Sequence, residues 1–171
     1  PSRCALGLAV HAGHGGCAPC APADGPPAQQ ITRVHGTLLP GMLDLQVNGA
    51  GGADCATATD DALDTVAQAV WAGGATGFLP TLITQPIDAL CERLARVADW
   101  CKRRRSGGAA GGSLESGDGM GLALPLGIHV EGPFLQQPGA HPAEDLLDPT
   151  PERVDRLLEA SAGELRLLTL A

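Results

Sequence analysis

The 171-residue chain has no tyrosine, two phenylalanines and two tryptophans, so aromatics make up only 2% of it. A core of stacked rings is excluded, and the 44% hydrophobic content must build its interior from Ala, Leu, Val and Ile. Positive charge is scarce as well: 11 Lys and Arg stand against 19 Asp and Glu, a formal net charge of -8. That field repels phosphate backbones and anionic bilayers, which argues against a nucleic-acid partner or a membrane surface. An anionic small molecule would need a local positive pocket. No apolar run approaches the roughly 18 residues of a membrane span, and the opening PSRCALGLAV, with one Arg and a short apolar stretch, is too little for a signal peptide. The chain does not begin with Met, which suggests a processed or incomplete product.

What is present divides the chain in two. Residues 1–36 are rich in Gly, Ala, Pro, Cys and His without period 2 or period 3.6, and read as an irregular, disordered segment. Within them HAGHGGCAPC sets His11, His14, Cys17 and Cys20 three residues apart, a donor set that can bind structural zinc tetrahedrally, although zinc modules usually separate their ligand pairs by a longer stretch. CAPC as a redox pair is a weaker alternative, since no strand precedes it. Cys55, Cys91 and Cys101 lie in or beside apolar segments at irregular spacings, as small core residues of a cytoplasmic protein do.

Residues 37–171 carry a regular alternation. MLDLQV (42–47) reads as a short strand running into NGAGG, and a helix from about Asp60 places Leu63, Val66, Ala67 and Val70 on one face before Gly73-Gly74. ATGFLPTLIT (75–84) is a second strand; Pro86 opens a helix with Ile87, Leu90, Leu94, Val97 and Cys101 on one stripe. Its KRRR end (102–105) reads as a solvated terminus complementing the helix dipole rather than a phosphate site. After a Gly- and Ser-rich loop (106–121), LALPLGIHV forms a third strand into Glu131, Thr150-Pro151 caps a further helix, and ELRLLTLA (164–171) is a fourth strand. The order predicts a parallel α/β protein with polar groups at the carboxyl ends of its strands.

QVNG and HVEGPF fall at those ends. Alternation along a strand points His129 and Glu131 to one face, and Gln46 and Asn48 likewise. A carboxylate, an imidazole and two amides on one pocket can hold a divalent metal, with Glu131 as an oxygen ligand. The same pairs can equally be two polar sets bonding loop backbone.

PGMLDLQVNGAGG (40–52), ATGFLPTLIT (75–84), LGIHVEGPF (126–134) and GAHP (139–142) occur in the order found in the N-acetylglucosamine-6-phosphate deacetylases of the amidohydrolase superfamily, and four ordered motifs make the resemblance specific. The resemblance implies a metal-dependent (β/α)8 TIM-type barrel, of which this chain would hold about the first four strands. It implies hydrolysis of the acetamide of N-acetylglucosamine 6-phosphate to glucosamine 6-phosphate and acetate. By the same resemblance Glu131 ligates one divalent metal ion, zinc by expectation. Gln46 and Asn48 stand where other amidohydrolases carry a His-x-His pair and would face substrate. Ala140, through its backbone, and His141 would contact the sugar, and His129 would support the metal-site strand. The family's two metal-binding histidines and its catalytic aspartate fall beyond Ala171, and Asp44, Asp54, Asp60 and Asp61 match none of them. The implied partner is an amino-sugar phosphate, the full-length enzyme would be a homo-oligomer, and the chain alone would be an inactive fragment or partial gene model.

Overall fold

The computed structural model describes residues 40–106 and 121–171. Strand β1 (Met42–Val47) leads into a small antiparallel pair, β2 (Gly49–Ala50) and β3 (Ala53–Asp54), and then into a 3-10 turn at Cys55–Thr57. Gly51 and Gly52 make that reversal at φ of 62° and 84°, values that glycine adopts without Cβ strain. Helix α1 (Asp60–Ala72) comes next, then β4 (Ala75–Ile83), α2 (Ile87–Ser106), β5 (Leu124–Pro125), β6 (Ile128–Glu131), α3 (Pro151–Ala160) and β7 (Leu165–Thr169). The HAGHGGCAPC cluster and most of the Gly- and Ser-rich loop lie outside the described residues.

The helices form where pattern and caps agree. In α1 the side chains of Leu63, Val66, Ala67 and Val70 are buried, and the Thr59 hydroxyl accepts from the Ala62 N–H at the N-terminus. In α3 the Thr150 hydroxyl accepts from the Arg153 N–H and Pro151 occupies the first helical position, where its missing N–H costs nothing. Helix α2 buries Leu90, Leu94, Val97 and Cys101 as its stripe requires, while Ile87 is only half-buried. It also buries Ala98 and Trp100, which the stripe did not include. Trp100 is 0% exposed, meets Phe78 of β4 edge to face at 6.4 Å, and donates its Nε1–H to Asp64 Oδ1 at 2.9 Å, so the ring contact ties α2 to the sheet and the polar contact ties it to α1.

The sheet runs β1-β4-β6-β7, with every neighbouring pair parallel and β5 also paired with β4. The third strand expected from LALPLGIHV is thus broken into β5 and β6 around Leu126-Gly127, with Gly127 at φ 141°. Phe78, Leu82, Ile128 and Val130 point toward the helices and share one cluster with Leu63, Val66, Leu90, Leu94 and Leu157. Contacts between α1 and α2 and between α2 and α3 place the three helices in one layer on that face. Both outer strands keep an unpaired side among the described residues, with Met42, Leu43 and Leu45 on β1 and Leu167 on β7 exposed.

Strand β1 departs from regular pairing toward its carboxyl end. Asp44 pairs with Phe78 and Val47 with Pro80, three residues on β1 against two on β4. This is the signature of a bulge, and it shifts by one residue which side chains face the helices. Val47 is turned into the core as a result.

The basic end of α2 is exposed at Lys102 and Arg103, as expected of a solvated terminus, and in addition forms ion pairs. Arg103 pairs with Asp60 at 2.6 Å and with Asp99 at 2.9 Å, Arg104 pairs with Asp64, and Lys102 Nζ donates to the Ala162 carbonyl at 2.8 Å. Arg105 pairs with Glu164, which is 4% exposed at the amino-terminal end of β7. These cations join elements of the fold. The described cysteines are free thiols; Cys55 and Cys101 are buried, and Cys91 is half-buried.

No helix among the described residues is long and apolar enough to cross a membrane.

Candidate functional site

Strand register brings the polar motifs together. Thr81 of β4 pairs with His129 of β6, Ile83 with Glu131, and Glu131 in turn with Thr169 of β7. Since Val130 and Leu82 face the helices, Thr81, His129 and Glu131 face the other side of the sheet. The bulge in β1 does the same for Asn48, the residue after the inward-turned Val47.

His129, 2% exposed, spans this face. Its Nδ1 lies 3.1 Å from the Leu45 carbonyl and 3.4 Å from Thr81 Oγ1, and its Nε2 lies 2.8 Å from Thr169 Oγ1. The Thr81 hydroxyl donates to the Leu79 carbonyl and accepts from the Val47 N–H at 3.0 Å, so it locks β1 to β4 beside the ring. A neutral imidazole with its proton on Nδ1 donates to Leu45 and accepts from the Thr169 hydroxyl. Burial holds the His129 pKa below its ordinary value, opposed by the Leu45 hydrogen bond and the Glu131 charge. Both ring nitrogens are therefore engaged within the protein.

Glu131 sits at the carboxyl end of β6 with its side chain 24% exposed. The Asn48 Nδ2–H donates to Oε2 at 3.4 Å, while His141 Nε2 stands 3.8 Å from Oε1. His141 comes from the loop after β6, and its Nδ1 lies 2.8 Å from Thr84 Oγ1, just past β4. Thr84 Oγ1 also donates to the Glu131 carbonyl at 3.4 Å. Gly132 makes room for this hydroxyl: a Cβ there would lie 2.2 Å from Thr84 Oγ1, and its φ of 83° suits glycine.

Of the residues singled out in the sequence, the fold gathers Asn48, His129, Glu131 and His141. Gln46 lies within the β1 bulge and is exposed, with its backbone N–H donating to Asp44 Oδ1 at 3.1 Å. Ala140 is exposed in the loop beside His141. Thr81, Thr84 and Thr169 join the arrangement without having been singled out. Their only signal was a hydroxyl at or near the end of a strand, which β-propensity alone would explain.

The donor set fits a metal in part. Glu131 presents a carboxylate with an imidazole beside it, but among the described residues no three His, Cys, Asp or Glu side chains converge as a metal site would require.

Fold and site together define a parallel α/β protein whose polar groups meet at the carboxyl ends of its strands. No protein-family model matches the chain. The N-acetylglucosamine-6-phosphate deacetylase of Bacillus subtilis (strain 168) is 33% identical over 136 residues, covering 78% of this chain and 31% of the relative. The N-acetylgalactosamine-6-phosphate deacetylase of Escherichia coli O157:H7 is 31% identical over 147 residues, covering 85% of this chain and 35% of that one. Among solved structures, the N-acetyl-D-glucosamine-6-phosphate deacetylase of Mycobacterium smegmatis in complex with N-acetyl-D-glucosamine-6-phosphate superposes with a TM-score of 0.62 and 29% identity, over 77% of this chain and 30% of that one. The chain is a partial-length relative of the N-acetylglucosamine-6-phosphate deacetylases, a group of hydrolases, and spans about a third of the length of the curated relatives it matches.

Proposed function

We propose that residues 37–171 are a portion of a (β/α)8 barrel enzyme that hydrolyses the acetamide of N-acetylglucosamine 6-phosphate, giving glucosamine 6-phosphate and acetate. The observation that carries this reading is the placement of Glu131 at the end of a parallel strand, between the Asn48 amide and the His141 imidazole. Four consecutive parallel strands with their helices in one layer support the barrel, which closes with eight strands.

Glu131 would supply one ligand to a single divalent ion, for which zinc is the natural candidate, with the remaining ligands coming from residues other than those described. A metal bound there supplies Lewis acidity toward the acetamide carbonyl and a more acidic water. The chain's own residues bind and orient. Asn48 holds one carboxylate oxygen of Glu131 and leaves the other on the side of His141. His129 braces β1, β6 and β7 beneath it. His141 faces the sugar, with Ala140 at the rim and Gln46 along the approach from β1. An amino-sugar phosphate also suits a chain of net charge -8 only where local donors offset the field.

A chimera tests the reading. Residues 40–171 replace the matching segment of the Bacillus subtilis relative, and acetate release from N-acetylglucosamine 6-phosphate is followed. An active chimera that loses both metal and turnover on Glu131→Gln is expected. A folded chimera without activity, or one in which Glu131→Gln is as active as its parent, would sink the proposal.

A further inference from the structure

We infer that Ile83 receives the methyl of the substrate's acyl group and so sets which acyl group is removed from the amino sugar; this rests on the reading of the site as that of a deacetylase. Strand β4 has a neighbour on both sides, β1 and β6. Its other large apolar side chains are covered, Phe78 and Leu82 at 0% and Leu79 at 4% exposure, whereas Ile83 is 36% exposed. On β6, the other inner strand, Ile128 and Val130 are both 0% exposed. Among the described residues, Ile83 is thus the one large aliphatic side chain left open on a strand with neighbours on both sides. The unpaired edge that accounts for Met42, Leu43, Leu45 and Leu167 does not account for it.

Strand register places Ile83 beside the site. It pairs with Glu131 of β6, and Leu82 before it is turned toward the helices, so Ile83 shares the opposite face with Glu131. Neighbouring strands run about 4.8 Å apart, which sets an aliphatic side chain and the Glu131 carboxylate at adjacent positions on one surface. The Asn48 amide reaches Glu131 from the end of β1, and β4 lies between those two strands. The backbone around Ile83 is anchored: Thr84 is 2% and Gln85 7% exposed, and Gln85 Nε2 donates to the Ile83 carbonyl at 3.2 Å. A β-branched side chain has few χ1 states, so it offers a wall of fixed shape.

An acetamide needs such a wall. Its oxygen and nitrogen call for polar partners, which Glu131, Asn48 and His141 supply. Its methyl is bonded directly to the carbonyl carbon and calls for an apolar surface within reach of the same polar groups. Seating the methyl on Ile83 removes apolar area of both from water. A longer acyl chain would place its extra methylene where the isoleucine already stands, and one methylene in an apolar pocket is typically worth about 10–200-fold in discrimination.

The test uses the active chimera and compares kcat/KM for N-acetyl- and N-propionylglucosamine 6-phosphate. Ile83→Ala is expected to raise the propionyl-to-acetyl ratio at least about tenfold, and Ile83→Val to raise it by a smaller factor. The same change of preference should appear in the relative affinities of the two ligands for the metal-free chimera, where nothing turns over. An unchanged ratio in folded Ile83→Ala overturns the inference, and if that variant does not fold, an unchanged ratio in Ile83→Val does so. Activity of the parent chimera separates the two claims: without deacetylation the reading of the site falls and the acyl assignment with it, whereas an active parent with unmoved ratios discards the acyl assignment alone.

Discussion

Asn48 Nδ2 and Glu131 Oε2 lie 3.4 Å apart across 83 residues of sequence, one just after β1 and the other at the end of β6. The contact is partly open to solvent, so its worth to global stability is at most about 1 kcal/mol. Its effect on metal affinity should be larger, because partners that orient a ligand typically change affinity about 10–100-fold. Asn48→Ala is therefore expected to leave the urea midpoint nearly unmoved while weakening zinc binding, by titration calorimetry of the active chimera, at least tenfold. A loss of stability that matched the loss of affinity would contradict this division.

His129→Leu should destabilise the chain by about 2 kcal/mol, since the Leu45 carbonyl and Thr169 hydroxyl lose their buried partner. The acid limb gives a second check. The folded ring has a pKa below the ordinary 6.5, so the unfolded chain binds the proton more readily. The contribution is whole above 6.5 and erodes as pH falls below it toward the folded value. Urea melts of the metal-free chain across that range should show less acid sensitivity in His129→Leu.

Burial sets the alkaline limb through two thiols. Desolvation pushes Cys55 up to about 11 and Cys101 up to about 12, from an ordinary 9.0. Raised thiol values mean that the folded chain retains protons the unfolded chain releases. Stability is thus intact below 9.0 and declines as pH rises from there toward the folded values. At mildly alkaline pH a thiol reagent followed by peptide mapping should leave both residues unmodified in the native chain and label them in urea. Rapid native labelling of either would show that the core around it opens.

Two tryptophans report on different surfaces. Trp100 is 0% exposed and Trp71 is 38% exposed. Iodide should quench Trp71 selectively, so Trp71→Phe should emit further to the blue and resist quenching. Trp100→Phe keeps most of the apolar volume but strips Asp64 of its indole partner, and should cost about 1–2 kcal/mol. A Trp100→Phe melt that overlays the parent would show the Asp64 contact to be energetically empty.

The helices were legible because their signals are local: Leu63, Val66, Ala67 and Val70 repeat at helical spacing, and Thr150-Pro151 opens α3. The parallel sense of the strands came from the alternation of strand and helix. Trp100 was missed because the stripe through Leu94, Val97 and Cys101 already looked complete, and nothing local shows that Asp64 receives its N–H. The ion pairs at the basic end of α2 were missed for the same reason, since Asp60, Asp64 and Glu164 reach it from other elements. At the site, Glu131 and His129 could be paired from strand alternation. The contacts of Thr84 with Glu131 and His141 required the loop after β6 to be placed against it, and the pairing of Asn48 with Glu131 required a bulge that no pattern in MLDLQV announces.

That bulge ties the site to a matter of parity. Three residues of β1 run against two of β4 between Asp44 and Val47, and only this mismatch turns Val47 inward and Asn48 toward Glu131. A one-residue deletion between these points would restore regular pleating and send Asn48 to the wrong face. Side chains there can drift under mutation, as exposed Leu45 and Gln46 have room to do, but the length of the segment cannot. Insertions and deletions, rather than substitutions, are the changes this stretch should reject.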